Sequence, residues 1–268
     1  MINLDQLYSI KQKIPKFIRR IFPKLDIFRY YFLKTNLNNL PKKNYPEEGN
    51  LEYQINLIEK FKISKKQSSS MTCPHLIQLL LLKYSPDQNF SFLDIGGEKI
   101  DFFLFLKKKF KNIKYYLFNQ KQMLKPFYEI KETYNYKDFN LVDNYEELLA
   151  TSYDFVNLGS CIQYFDDYEI FLKKIQKNSK HIFFSGTHLY DSSDKNYDKD
   201  IIVKQVNVLP QENYLYFFNR KKFFGSFEEK NFELVFETKN LTDNVNYDNF
   251  KSYLNNIQYS DFLFVKKK

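Results

Sequence analysis

The feature that most constrains the fold is an alternation of short apolar runs with helix-like segments from residue 90 onward. The apolar runs, each of strand length, are Phe90–Ile95, Tyr115–Phe118, Tyr153–Leu158, His181–Phe184, Phe232–Phe236 and Phe262–Val265. The helix-like segments between most of them are Lys99–Phe110, Lys121–Glu132, Tyr145–Leu149, Tyr168–Gln176 and Arg220–Phe227. Strands that alternate with helices are typical of βαβ units, so the pattern predicts a largely parallel sheet covered on both faces. The last two runs are expected to form an antiparallel pair at the sheet edge.

The first 70 residues differ in charge from the rest of the chain. They hold 14 Lys/Arg against 6 Asp/Glu, whereas residues 71–268 hold 27 against 26, so most of the net charge of +9 lies at this end. We therefore predict a basic helical segment at 1–70 and a core at 71–268, joined at the polar stretch Ser64–Ser70. Four prolines divide residues 1–46 into short amphipathic helices. These either lie on an anionic membrane surface or pack on the core with their lysines in water.

Several classes of protein do not fit this composition. Two cysteines and three histidines are too few for a disulfide framework or a Cys-rich zinc site, so no metal is expected. The N-terminal stretch lacks the apolar region of a signal peptide, and the longest aliphatic run, Leu79–Leu82, is too short to span a bilayer. No nucleic-acid-binding module is recognisable among the lysine clusters, so no nucleic acid is expected as a partner. The sequence predicts a cytoplasmic protein, with peripheral membrane contact through residues 1–46 as an open alternative.

The positions of the glycines indicate where a ligand binds. The chain has only six, and four of them, Gly96, Gly97, Gly159 and Gly186, follow three of the predicted strands. In an open α/β sheet the carboxyl ends of the strands form the crevice in which ligands bind. A tight turn after a strand also needs glycine when nothing is bound, but three such turns on one edge favour a binding crevice.

The first of these turns also indicates the charge of the ligand. Asp94 closes the first strand and stands directly before Ile95 and the glycine pair, and the spacing G-x-G-x-x-G of a dinucleotide fingerprint is not met. A carboxylate here would repel a pyrophosphate and suits a cationic ligand. S-adenosylmethionine (SAM) carries a sulfonium and an ammonium group, so the turn favours SAM over NAD.

Three stretches of the sequence resemble motifs of class I SAM-dependent methyltransferases. "FLDIGGEKI" resembles the first motif, "SYDFVNLGSCIQYFDDYEIFLKKI" the fourth-strand motif, and "HIFFSGTHL" the fifth strand. The resemblance covers about Pro74–Lys267 and is greatest to a methyltransferase family found with bacterial surface-polysaccharide genes. It implies a Rossmann-like fold with a mostly parallel seven-stranded sheet and an antiparallel C-terminal hairpin, preceded here by the helical segment. It also implies a role in polysaccharide biosynthesis.

The resemblance further implies which residues contact SAM. They are Asp94, Gly96, Gly97, Asn119, Gly159, Ser160 and Gln163. The chain departs from the family at Asn119, where an acidic residue usually meets the ribose, and at Ile100, where a glycine is usual. These departures make a second hypothesis necessary: a non-catalytic Rossmann-like module that keeps the fold and acts in binding or scaffolding.

Two residues are candidates for catalysis. His188 follows Gly186 and could remove the proton of an acceptor hydroxyl, or it is a histidine on a surface loop. Tyr164 could form the pocket floor near the methyl group, or it packs in the core. The sequence thus predicts methyl transfer from SAM to a small-molecule or glycan acceptor, at oxygen.

Overall fold

The computed structural model describes residues 32–41, 74–97, 100–192, 198–205, 213–240, 247, 250 and 254–268. Of the helices in these ranges, none combines the length and apolar character needed to cross a bilayer. The strands are β1 (Phe32–Lys34), β2 (Phe90–Ile95), β3 (Ile113–Phe118), β4 (Phe139–Val142), β5 (Tyr153–Gly159), β6 (Ser179–Asp191), β7 (Ile201–Gln205), β8 (Asn213–Asn219), β9 (Phe232–Lys239) and β10 (Asn255–Lys266). The helices are α1 (Pro74–Lys83), α2 (Ile100–Lys109), α3 (Lys121–Tyr134), α4 (Tyr145–Ala150), α5 (Tyr168–Lys177) and α6 (Arg220–Glu228).

Seven strands form the predicted sheet, in the order β4–β3–β2–β5–β6–β10–β9. Strands β2 to β6 pair in parallel, while β10 runs antiparallel to both β6 and β9. The mixed sheet with an antiparallel C-terminal pair, expected from the alternation, is confirmed. It forms because helices connect the parallel strands and a hairpin-like return brings β10 between β6 and β9.

Helices cover both faces of this sheet and bury two apolar clusters. On one face, α5 and α6 pack against alternate residues of β2, β5 and β6 through side chains such as Phe171 and Phe227. On the other face α1, α2 and α3 pack on the intervening residues, among them Phe92, Phe155 and Phe183. Burying a phenylalanine contributes about 1.5–3 kcal/mol, so the many aromatic residues stabilise both layers.

Three further strands extend the sheet beyond the predicted seven. β7 and β8 form an antiparallel pair, and β8 joins the far end of β6 through Leu189 and Tyr190. β6 is thirteen residues long and therefore reaches well past the four-residue run that the sequence predicts. The sequence also failed to predict β4, a strand of four residues with a polar Asn140 in it.

The helical prediction for the N-terminal segment is wrong at residues 32–34. Phe32 to Lys34 form the strand β1, which pairs antiparallel with β7. Its first side chain, Phe32, is fully buried against Phe217 and His188, and this contact together with the strand pairing outweighs the helical pattern. Residues 35–41 form no helix either. The predicted helices in the rest of residues 1–46, the joint at Ser64–Ser70 and the boundary at residue 70 lie outside the described residues.

Candidate functional site

Three backbone positions with left-handed conformation mark the carboxyl edge of the central strands. They are Gly96 after β2, with φ of 75°, Ser160 after β5, with φ of 50°, and Gly186 in β6, with φ of 58°. The three strands are neighbours in the sheet, with Ile95 beside Leu158 and Gly159 beside Ser185. These three left-handed positions therefore lie side by side on neighbouring strands.

The glycine pair is required by contacts within the protein. A Cβ atom at Gly96 would lie 2.9 Å from Cβ of Cys161, and the φ angle there also disfavours other residues. A Cβ atom at Gly97 would overlap Oδ2 of Asp94 and lie 2.7 Å from Cδ1 of Leu117. The turn after β2 is thus packed against Leu117 of β3 and against Cys161, which follows β5.

Asp94 lies beneath this turn as a buried carboxylate. Its Oδ2 accepts a hydrogen bond from the Tyr115 hydroxyl at 2.6 Å, and its Oδ1 accepts one from Nδ2 of Asn157 at 2.7 Å. Burial raises the pKa of Asp94, while the two hydrogen bonds lower it, and the pKa lies above the usual value on balance. Both oxygens are already bonded, so Asp94 supports the glycine turn from below.

Asn119 connects the end of β3 to the same turn. Its Nδ2 donates to the carbonyl oxygen of Gly97 at 3.1 Å, and its Oδ1 accepts from the backbone N–H of Gln120 at 2.8 Å. The amide is half-buried at the edge of the sheet. The structure therefore brings Asn119 to the glycine pair, as the sequence predicts.

The turn after β5 contributes the next group of predicted residues. The Ser160 hydroxyl shares a 2.9 Å hydrogen bond with the Tyr259 hydroxyl, directly after Gly159. Nε2 of Gln163 donates to the carbonyl oxygens of Ser160 at 3.0 Å and Gly186 at 3.2 Å. Gln163 thereby connects the turn after β5 to β6, and its own Oε1 is buried without a partner among the residues that the structure describes.

Gly186 does not end its strand, contrary to the prediction. Two residues of β6, Ser185 and Gly186, stand opposite the single residue Asp261 of β10, which is a β-bulge. The strand continues beyond the bulge because Gly186 adopts a positive φ and donates its N–H to Oδ1 of Asp261 at 2.9 Å. Bulges of this kind often lie beside active sites, where they redirect a side chain.

His188 consequently lies inside β6 and is not on a loop. Its ring stacks on Phe217, meets Phe32 edge-on, and its Nδ1 shares a 2.7 Å hydrogen bond with the Tyr247 hydroxyl. Burial lowers the pKa of His188 to about 3. Its catalytic role stays a prediction, and its surroundings favour a structural one.

Tyr164 lies on the 3-10 turn Ile162–Tyr164 that follows β5. Its hydroxyl donates to Oε1 of Gln205 at 2.9 Å and so links this turn to β7. The half-buried ring packs against the apolar cluster between β1, β7 and β8. Both alternatives for Tyr164, pocket wall and core residue, agree with this position.

The sequence did not reveal a His–Asp pair at the same edge. Nδ1 of His75, in the first turn of α1, lies 3.0 Å from Oδ2 of Asp261, the residue that holds the Gly186 N–H. The two residues are 186 positions apart, so no local motif could have joined them. The alternation of apolar runs predicts the strand β10, which contains Asp261. It gives no indication that His75 packs beside it.

The fold and this edge define the class of protein that the chain resembles. The sheet order is that of the Rossmann-like methyltransferase fold. No protein-family model matches the sequence, and no curated protein matches it.

Solved structures share this fold at low sequence identity. A SAM-dependent methyltransferase from Clostridium acetobutylicum is 10% identical with a TM-score of 0.50, over 81% of this chain and 99% of that one. TehB from Haemophilus influenzae is 11% identical with a TM-score of 0.50, over 78% and 67%. An O-methyltransferase family protein from Burkholderia thailandensis is 6% identical with a TM-score of 0.50, over 84% and 61%. At such identities the likeness establishes the fold.

Proposed function

We propose that the protein binds SAM at the carboxyl edge of β2, β5 and β6 and transfers its methyl group to a hydroxyl of a small molecule or glycan. The observation that carries the proposal is the row of three left-handed backbone positions, which are the turns at Gly96 and Ser160 and the bulge at Gly186. The three structural neighbours, two described as methyltransferases by their names, support the same assignment. A role in surface-polysaccharide synthesis, which the sequence resemblance implies, would make the acceptor a sugar.

The residues present at this edge fit SAM. The glycine pair permits the tight turn after β2, because a Cβ atom at either position would collide with Cys161, Asp94 or Leu117 of the protein itself. Within the described residues, two buried amide oxygens beside the turns, Oδ1 of Asn157 and Oε1 of Gln163, have no hydrogen-bond donor. Unbonded amide oxygens can accept hydrogen bonds from an ammonium group, and Nδ2 of the same Asn157 donates to the buried Asp94. SAM would supply a methyl group on a positively charged sulfur, and Gly96, Gly97 and Asn119 would hold it.

Catalysis by this chain would consist of positioning and proton removal. In-line displacement gains most from alignment of the acceptor, which a rigid turn can provide. The Gln163 amide fixes the turn after β5 against β6, so the two walls of the crevice keep their spacing. A base within reach of the acceptor hydroxyl completes the reaction.

The first test is binding of the cofactor and of its demethylated product, S-adenosylhomocysteine (SAH). We expect calorimetry to detect both ligands with the purified protein, and we expect Gly97→Ala to abolish binding because the new methyl group would collide with Asp94 and Leu117. Gly225→Ala is the matched control, since a Cβ atom there would meet nothing within 4 Å. The melting temperatures of both variants show whether a variant that does not bind is still folded. Absence of binding to the wild-type protein at millimolar ligand would contradict the proposal.

The hydrogen bonds of Asn119 favour a second candidate function, a non-catalytic binding or scaffolding module. Both atoms of its amide group are already bonded to the protein, and Ile100, where the family has glycine, is buried at the start of α2. In this candidate the SAM site is degenerate, so it predicts that neither SAM nor SAH binds at millimolar concentration and that no turnover occurs. Formation of SAH from SAM in the presence of a catechol or free hexoses would exclude it.

We further propose that residues 1–46 make weak contact with anionic membranes, because this segment is basic. The strand β1 belongs to the sheet, so deletion of the whole segment would also remove a strand. We therefore expect deletion of residues 1–31 to abolish co-sedimentation with liposomes containing phosphatidylserine while the fold is kept. Equal sedimentation of the full and shortened chains would contradict membrane contact.

A further inference from the structure

The pair formed by His75 and Asp261 has the geometry of an oriented imidazole base. Asp261 is buried, with 2% of its side chain exposed, and its oxygens face three donors: the Gly186 N–H, Nδ2 of Asn240 and the His75 ring. A carboxylate in such surroundings accepts hydrogen bonds, so Nδ1 of His75 carries the proton. In the neutral form of this tautomer the lone pair is on the other nitrogen, Nε2. This is the arrangement in which a carboxylate fixes the tautomer of a catalytic histidine.

The pair lies at the carboxyl edge of the sheet, where the cofactor is proposed to bind. Asp261 lies at the β-bulge and accepts a hydrogen bond from the N–H of Gly186, one of the three left-handed positions at this edge. The helix α1 begins at this level and runs to the opposite edge, where Leu79 and Lys83 lie beside His181 at the start of β6. His75, in the first turn of α1, is therefore at the crevice end of the helix.

The exposure of His75 distinguishes it from the other two histidines. Its side chain is 36% exposed, and the ring of Phe236 packs against it at 5.6 Å between centroids, which restrains its orientation. His188 is enclosed by aromatic rings, and His181 is buried at the far edge with its Nδ1 on the carbonyl of Asp154. Among the three, His75 alone combines a carboxylate partner with access to solvent.

We propose that His75 is the general base of the reaction and that Asp261 is the residue that positions it. This inference rests on the proposed methyl transfer. Nε2 of His75 takes the proton of the acceptor hydroxyl while the oxygen forms its bond to the methyl carbon. The bond between that carbon and the sulfur breaks, its electron pair stays on sulfur, and a neutral thioether results. The imidazolium then passes the proton to solvent.

The kinetic test compares His75→Asn and His75→Ala with the wild-type protein, using SAM with a catechol or free hexoses as acceptors. The asparagine amide can still donate to Asp261 but supplies no base, so we expect kcat to fall by about 10²–10⁴-fold while the Kd of SAH is unchanged. Added imidazole should restore part of the activity of His75→Ala, which a structural role would not explain. Full turnover by His75→Asn would overturn the inference.

A chemical test needs no acceptor. Diethyl pyrocarbonate modifies accessible imidazole nitrogens, and we expect mass spectrometry to locate the modification at His75 and not at His181 or His188. Saturating SAM should slow modification of His75, because the base must face the methyl group. If calorimetry shows that SAM binds, but His75 is modified at the same rate with and without SAM, the inference about His75 is overturned and the proposed function is not. Failure to bind SAM or SAH would instead contradict the proposed function.

Discussion

Gly186→Ala is expected to destabilise the protein by about 2–5 kcal/mol, the sum of a left-handed backbone penalty and an overpacked contact. Gly186 has a φ of 58°, and a Cβ atom there would overlap the hydroxyl oxygens of both Ser160 and Tyr259. Tyr259 cannot move aside easily, because its ring packs against His188 at 4.7 Å between centroids. The substitution would also break the hydrogen bond between Ser160 and Tyr259.

Gly225→Ala is the matched control for this measurement. Gly225 lies inside α6, and a Cβ atom there would meet no atom within 4 Å. Alanine in a helix is favoured over glycine by about 0.5–1 kcal/mol, so this variant should be slightly more stable than the wild type. Urea unfolding followed by circular dichroism gives both values. Equal stability of the two variants would show that the backbone at Gly186 relaxes and that the bulge is not constrained.

The stability of the protein should fall as the pH decreases, and His188 should account for a large part of the loss. Burial lowers the pKa of His188 to about 3 in the folded protein, whereas a histidine in an unfolded chain has a pKa of about 6.5. Between these values the unfolded chain binds a proton that the folded chain does not. The free energy of unfolding therefore decreases as pH falls from about 6.5 towards 3, by about 2 kcal/mol between pH 7 and pH 5.

His188→Phe isolates this contribution. Phenylalanine keeps an aromatic ring between Phe32 and Phe217 and has no proton to bind. Burial also lowers the pKa of His181, but that residue titrates in both proteins, so the difference between the two pH profiles belongs to His188. We expect the variant to lose less stability between pH 7 and pH 5. Parallel profiles would show that His188 is protonated in the folded state, and its assignment to the core would be wrong.

The presence of a central parallel sheet could be predicted because its strands and helices leave local patterns in the sequence. Runs such as Phe90–Ile95 are apolar throughout since both faces of a parallel strand are covered, and the structure has β2 with the same bounds. The strand β4 was not predicted because four residues with an asparagine among them carry little signal. β1 was not predicted because its pairing with β7 joins residues about 170 positions apart, and no local pattern records such a contact.

The candidate site could likewise be predicted only in part. The turns at Gly96 and Gly97 could be found because glycine is rare in this chain and its position after a strand has a steric reason. The placement of His188 depended on where β6 ends, and the bulge at Gly186 carries the strand five residues further, to Asp191. His75 and Asp261 meet through the packing of a helix on a strand, which a sequence alone does not specify.

The length of β6 has a mechanical consequence. Its first half pairs with β5, its last residues pair with β8, and β10 follows it on the other side along most of its length. A single strand thus carries the bulge at Gly186 and the β1–β7–β8 extension, with hydrogen-bonded neighbours on both flanks. The extension is joined to β6 where Leu189 and Tyr190 pair with β8, on a part of β6 that also pairs with β10. Because the ladder between β6 and β10 runs past this junction, it holds this part of β6 to the core sheet.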